Sequence, residues 1–185
     1  MMADMSIDMF IEPENDPRTE PPPRGGELAT LAGFLRWQRG TLELKCSGLD
    51  AVAMARRSVD PSMMSLLGLV RHLTDVERSW FRKIMAGQDV PLRYRSPEEP
   101  DGDFAGARPD PAVVAEAWRA WRDEVEFADQ FVAAAPSLEL VSKVPDAWRG
   151  PMSLRWVLTH MIEEYARHNG HADLLRERID GAVGE

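Results

Sequence analysis

Apolar residues recur along most of the chain at steps of three and four, the spacing that keeps side chains on one face of an α-helix. Between Glu27 and about Cys46 the positions Leu28, Leu31, Leu35, Gln38 and Leu42 follow it, and Gly48 ends this first predicted helix. A second starts at a cap supplied by Ser62 or Ser65 and carries Leu66, Leu69, Leu73, Val76, Trp80 and Ile84 to a stop at Gly87. Asp110 followed by Pro111 opens a third, in which Val114, Trp118, Trp121, Val125, Ala128 and Val132 form a seam that ends before Pro136. Ser153 caps the fourth, which runs to about Ile179 and stops at Gly181. The stretch 137–152 holds Leu138, Leu140, Val141 and Val144, but Pro145, Gly150 and Pro151 keep it a short connection. Long amphipathic helices with no sheet predict an all-α protein, an up-down-up-down four-helix bundle.

Two segments lack this periodicity. Residues 1–23 contain Glu12-Pro13-Glu14, Asp16-Pro17 and the run Pro21-Pro22-Pro23, so they predict an extended N-terminal arm ahead of a bundle domain spanning 24–185. Without an apolar face, the arm is expected to add little to stability. The stretch Gln88 to Arg108 is an acidic loop rich in proline and glycine, long for a compact domain, and predicts a mobile cover over a functional site.

Composition narrows the functional classes. With 185 residues, 44% hydrophobic and 29% charged, the chain suits one globular core. A net charge of -9 and a pI near 5.0 oppose a phosphate backbone, which excludes nucleic acid as the expected partner. No run reaches the ~18 apolar residues of a membrane span, and the first ten residues carry Asp4 and Asp8 with no basic start, so a cytoplasmic protein without membrane contact is expected. The single cysteine, Cys46, lies in a predicted helix and reads as a small core residue, not a nucleophile.

The candidate chemistry sits on the second and fourth helices, which hold all four histidines. The segments Met64–Leu73 and Met152–Met161 also place serine, leucine and histidine at the same offsets. On a helical wheel with His160 at zero, Glu164 lies near 40°, His168 near 80° and His171 near 20°. His168 therefore points toward the core stripe with Glu164 beside it, where unpaired polar groups cost roughly 1 to 3 kcal/mol each. Spacing leaves two answers open: Glu164 and His168 satisfy each other, or the pair chelates an ion completed from a facing helix. His72 is the histidine available on another helix, although it falls roughly 90° from the centre of its own stripe. Glu77, on the apolar side of the second helix, calls for a buried donor, an arginine before His72. His171 marks the edge of the cluster, and Trp37, Trp118, Trp121 and Trp156 read as packing residues.

The segment Leu158-Thr159-His160-Met161-Ile162-Glu163-Glu164-Tyr165-Ala166-Arg167-His168-Asn169-Gly170-His171 resembles the last-helix signature of the DinB superfamily of four-helix-bundle metalloproteins. His72-Leu73 with Glu77 resembles its second helix, and the resemblance spans about residues 27–180. It implies that His72, Glu164 and His168 hold one divalent metal. Many members have histidine where this chain has Glu164, whereas the mycothiol-dependent maleylpyruvate isomerase branch is similar in using glutamate. His160 stands as a residue behind the ligands, an alternative ligand or a general base. Three protein ligands leave positions open, with zinc the first expectation and iron or nickel as alternatives. The resemblance further implies a low-molecular-weight thiol, mycothiol-like, acting with an electrophile in a metal-dependent thiol transferase or isomerase. A homodimer stays open. The contrasting expectation is a non-enzymatic, metal-stabilised bundle that serves as a binding or dimerisation module.

Overall fold

The computed structural model describes Ile11 and residues 15–184. Residues 1–10 and 12–14 of the expected arm, and Glu185, lie outside the described residues. Helices are α1 (Glu27–Cys46), the short α2 (Ala51–Ala55), α3 (Leu66–Glu77), the one-turn α4 (Gly102–Ala105), α5 (Pro111–Ala134) and α6 (Leu154–Asp180). The caps explain why the boundaries fall there. Ser65 Oγ accepts the Gly68 amide at 3.1 Å, Asp110 Oδ1 accepts that of Ala112 at 2.8 Å, and Ser153 Oγ accepts that of Trp156 at 3.3 Å. At the far end of α6, Gly181 takes φ +82°, a left-handed conformation that a side chain would strain. Among the described residues, no helix is long and apolar enough to cross a membrane.

The all-α four-helix bundle is as the sequence predicts, but its helix directions are not up-down-up-down. Contacts between α1 and α6 advance together, from Glu27–Arg155 through Gln38–Asn169 to Lys45–Asp173 and Ser47–Arg176, so these helices are parallel. Pairs between α6 and α3 with its continuation past Glu77 run oppositely, His72 meeting His168 and Trp80 meeting Trp156. Helix α5 runs antiparallel to α1, since Arg39 reaches Asp129 while Glu43 reaches Arg122. The order is therefore up-down-down-up. Its physical cause is the loop between α3 and α5, which is long enough to return along the whole of α3 so that α5 starts beside the start of α3. Short connections would have forced antiparallel neighbours; this one does not.

That loop is anchored, contrary to the mobile cover expected from its composition. Asp75, fully buried on α3, accepts the backbone amides of Arg93, Tyr94 and Arg95 at 2.7, 3.1 and 3.0 Å. Arg71 donates to the carbonyls of Asp103 and Gly102, both at 2.8 Å, and its guanidinium lies 3.9 Å over the Tyr94 ring.

Beyond Glu77 the second long helix widens. Residues Arg78–Met85 form a π-helical continuation in which the Ala86 amide bonds to the Phe81 carbonyl at 2.9 Å. The predicted stripe placed Trp80 and Ile84 inward. Instead Phe81 and Met85 are buried, and Trp80 and Ile84 are only half-buried, because the wider turn moves the inward face by one residue.

A polar network crosses the core between α1, α3, α5 and α6. Arg39 donates to both oxygens of Glu77 at 2.7 and 2.8 Å, Tyr165 Oη donates to Glu77 at 2.8 Å, and Trp121 Nε1 donates to Tyr165 Oη at 2.8 Å. The arginine partner suggested for Glu77 is thus Arg39. Trp121 is buried as predicted, with a hydrogen bond for its indole. The described part of the N-terminal segment also packs more tightly than its composition suggests. Arg18 lies 4.0 Å over the Trp37 ring and donates to Thr41 Oγ1 at 2.8 Å. Gly33 and Gly40 make room for it: a Cβ at Gly33 would stand 2.7 Å from Pro22 Cδ, and one at Gly40 would stand 3.1 Å from Arg18 Cγ.

Candidate metal centre

Where α3 and α6 cross, the structure brings His72, Glu164 and His168 together. One potential ligand atom from each lies within 4.8 Å of the others, close enough for small side-chain adjustments to bring all three onto a single ion. Glu164 and His168 are one turn apart on α6 and project in parallel, and His72 approaches from α3 with its ring 4.6 Å from that of His168. His72 is half-buried at the edge of its helix's inward face, in keeping with its offset from the stripe.

Glu164 and His168 are in contact, but at long range. His168 Nε2 stands 3.5 Å from Glu164 Oε2, and His160 Nε2 stands 3.6 Å from Oε1, both longer than a good charge-assisted hydrogen bond. Hydrogen bonding from His168 is the main cause that holds the Glu164 carboxyl below the ordinary carboxylate range; burial opposes it, and the charges of His160, His168 and His72 assist. Two imidazoles and a carboxylate facing one another at these distances form a donor set that fits a divalent ion.

The rings are held from behind. His72 Nδ1 is 2.8 Å from Asp103 Oδ2, and Phe104 stacks on the same ring at 5.5 Å with an interplanar angle of 24°. His168 Nδ1 is 3.3 Å from His171 Nδ1, so one of these nitrogens donates and the other accepts. Burial, and then the neighbouring His168, lower the pKa of His171 from 6.5, which favours the neutral ring such an acceptor needs. His160 lies outside the three-residue cluster, stacked at 5.0 Å and 19° on Trp156 and edge-on to Trp80 at 4.8 Å. Trp156 is thus a wall of the site's surroundings as well as a packing residue. Asp103, Phe104 and Trp80 are the neighbours that sequence reasoning did not single out. Asp103 and Phe104 come from the loop whose length and acidity did stand out, and Trp80 was placed in the core stripe.

An all-α bundle with a His-Glu-His cluster between the second and last of its long helices defines a DinB-like protein. Residues 30–181 match the family described as Mycothiol-S-transferase, and the chain belongs to that family. No curated protein matches the chain.

Proposed function

We propose that the chain is a metal-dependent enzyme that joins the sulfur of a low-molecular-weight thiol, mycothiol-like, to an electrophile, with His72, Glu164 and His168 as the metal ligands. The observation that carries this reading is the convergence of those three side chains within 4.8 Å in a chain of the Mycothiol-S-transferase family. A divalent ion held there would lower the pKa of a thiol at its open positions and so supply thiolate near neutral pH. Zinc suits the donor set, and the same residues accept iron or nickel.

The residues divide the work. With an ion bound, Glu164 would supply balancing negative charge, and His72 and His168 would hold it between α3 and α6. His160, with Nε2 3.6 Å from Glu164, is the nearest imidazole outside the ligand set. It can take the thiol proton at Nε2 as the S–H bond breaks and return it to the group displaced from the electrophile as the C–S bond forms. Trp156 and Trp80 pin that ring against rotation. Cys46 is buried, and burial pushes its thiol up to about 12, so the reacting sulfur comes from outside the chain.

The test is metal content per chain after dialysis, with dichroism to confirm folding. His72→Ala, Glu164→Ala and His168→Ala should each lose the ion, because an open three-ligand site loses about a third of its protein donors with each change. His160→Ala should lower affinity by about 10- to 100-fold without abolishing binding. Retention of metal by folded Glu164→Ala with complete loss in His160→Ala would refute this ligand set. Chelation that leaves the helices intact supports an enzymatic ion, whereas chelation that unfolds them supports a structural one.

A further inference from the structure

We infer that Asp103 is a positioning residue that fixes which nitrogen of His72 carries the proton, and that the crossover loop is built to deliver it. The inference rests on the reading above, in which His72 is a metal ligand. Asp103 lies 31 residues beyond His72 in sequence, yet its Oδ2 is 2.8 Å from His72 Nδ1. A carboxylate oxygen at this distance serves an imidazole N–H as acceptor, so the contact favours the tautomer with its proton on Nδ1 and would leave the Nε2 lone pair for a metal.

The surroundings of Asp103 show a placed residue, not a chance contact. It is 1% exposed, and its other oxygen accepts the Phe104 amide at 2.9 Å, which sets the carboxylate plane. Arg71, one residue before His72, holds the carbonyls of Gly102 and Asp103, so the helix that bears the histidine also grips the turn that bears the carboxylate. Arg95 Nε sits 3.6 Å from Asp103 Oδ2 and 3.7 Å from Asp75 Oδ2, close to the buried carboxylates of α4 and α3. Gly68 admits the Phe104 ring, since a Cβ there would stand 2.6 Å from its Cδ1. Phe104 in turn covers one face of His72. The ring is held by a hydrogen bond in its plane and a stack on its face, which together leave one orientation.

The experiment reads the protonated nitrogen of His72 directly, by nitrogen-15 correlation spectra of the full chain both zinc-loaded and after chelation, alongside zinc affinity by chelator competition. The wild type should show Nδ1–H. In Asp103→Asn, which keeps size and shape, the amide can turn its NH₂ toward Nδ1 and drive the proton to Nε2. That variant and Asp103→Ala should bind zinc about 10- to 100-fold more weakly. A wild-type ring protonated at Nε2 would overturn the inference. So would variants that melt earlier but keep the wild-type tautomer and affinity, since that pattern marks a loop support alone. Tight zinc binding by His72→Ala would instead sink the ligand assignment, while the tautomer spectra would still judge Asp103.

Discussion

Glu77 and Glu164 are both glutamates on bundle helices, yet their environments differ in burial and, more sharply, in hydrogen bonding. Glu77 has short hydrogen bonds from Arg39 and Tyr165 at 2.7 to 2.8 Å and no exposed surface. Glu164 is half-buried, and its oxygens meet imidazoles only at 3.5 and 3.6 Å. A carboxylate saturated by its own fold has nothing left to offer a ligand. One that meets imidazoles only at 3.5 and 3.6 Å keeps acceptor capacity that its own fold does not use. The degree of satisfaction, more than burial, separates the structural carboxylate from the candidate functional one.

The comparison breaks most visibly at Glu77. Glu77→Ala should destabilise the metal-free protein by about 3 to 5 kcal/mol in urea unfolding, because Arg39 is left charged and buried without its main partner. Glu164→Ala should cost under about 1 kcal/mol in the same measurement. Joint replacement, Arg39→Met with Glu77→Leu, should recover most of the Glu77 loss. Equal destabilisation at both glutamates would end the contrast.

A smaller effect is expected at the N-terminal segment, where the described residues Asp16 and Arg18 pair with each other and Arg18 also bonds to Thr41. Removing residues 1–22 should lower stability by about 1 to 3 kcal/mol, through loss of the proline packing on Gly33 and the Arg18 stack on Trp37. The hydrogen bond from Arg18 holds the Asp16 carboxyl below its ordinary 3.8, with burial opposing. A depressed carboxylate contributes stability above its unfolded value and loses it as the pH falls through the folded value. The melting-temperature gap between full and shortened chains should therefore narrow from about pH 5 to about pH 3. A gap that widens on acidification would remove the Asp16–Arg18 latch as its cause. The smallest effect belongs to Cys46, a buried group with no ligand role. At neutral pH a thiol reagent should leave it unmodified in the folded chain and label it fully in denaturant, and rapid labelling of folded protein would contradict its burial.

What the sequence made legible was local. Ser65, Asp110-Pro111, Ser153 and Gly181 mark helix ends through bonds within a turn, so their effect can be read from neighbours alone. The four-residue step from Glu164 to His168 is local in the same sense, and His72 joined them through a family resemblance that periodicity did not supply. Helix directions are less legible, because short connections imply antiparallel neighbours whereas a loop as long as the one between Met85 and Pro111 allows either direction. Asp103 was invisible because nothing in an acidic, proline-rich stretch says which carboxylate will turn inward. The docking of Arg18 and Pro22 depends on Gly33 and Gly40 standing on one face of α1, a match between two segments that neither reveals alone.

The widened turn after Glu77 works like a phase shift in a screw thread. Each turn from Arg78 to Met85 takes in about one additional residue, so the side chains of that segment are re-indexed against the rest of the molecule up to the helix end at Ala86. Upstream, the original phase keeps His72 and Glu77 facing their partners on α6 and α1. Downstream, the shifted phase sends Phe81 into the core and releases Trp80 to stand against His160. A single helix thereby serves two indexing schemes, one for the ligand end of the bundle and one for the aromatic shelf beside it, which a regular helix of the same sequence could not hold at once.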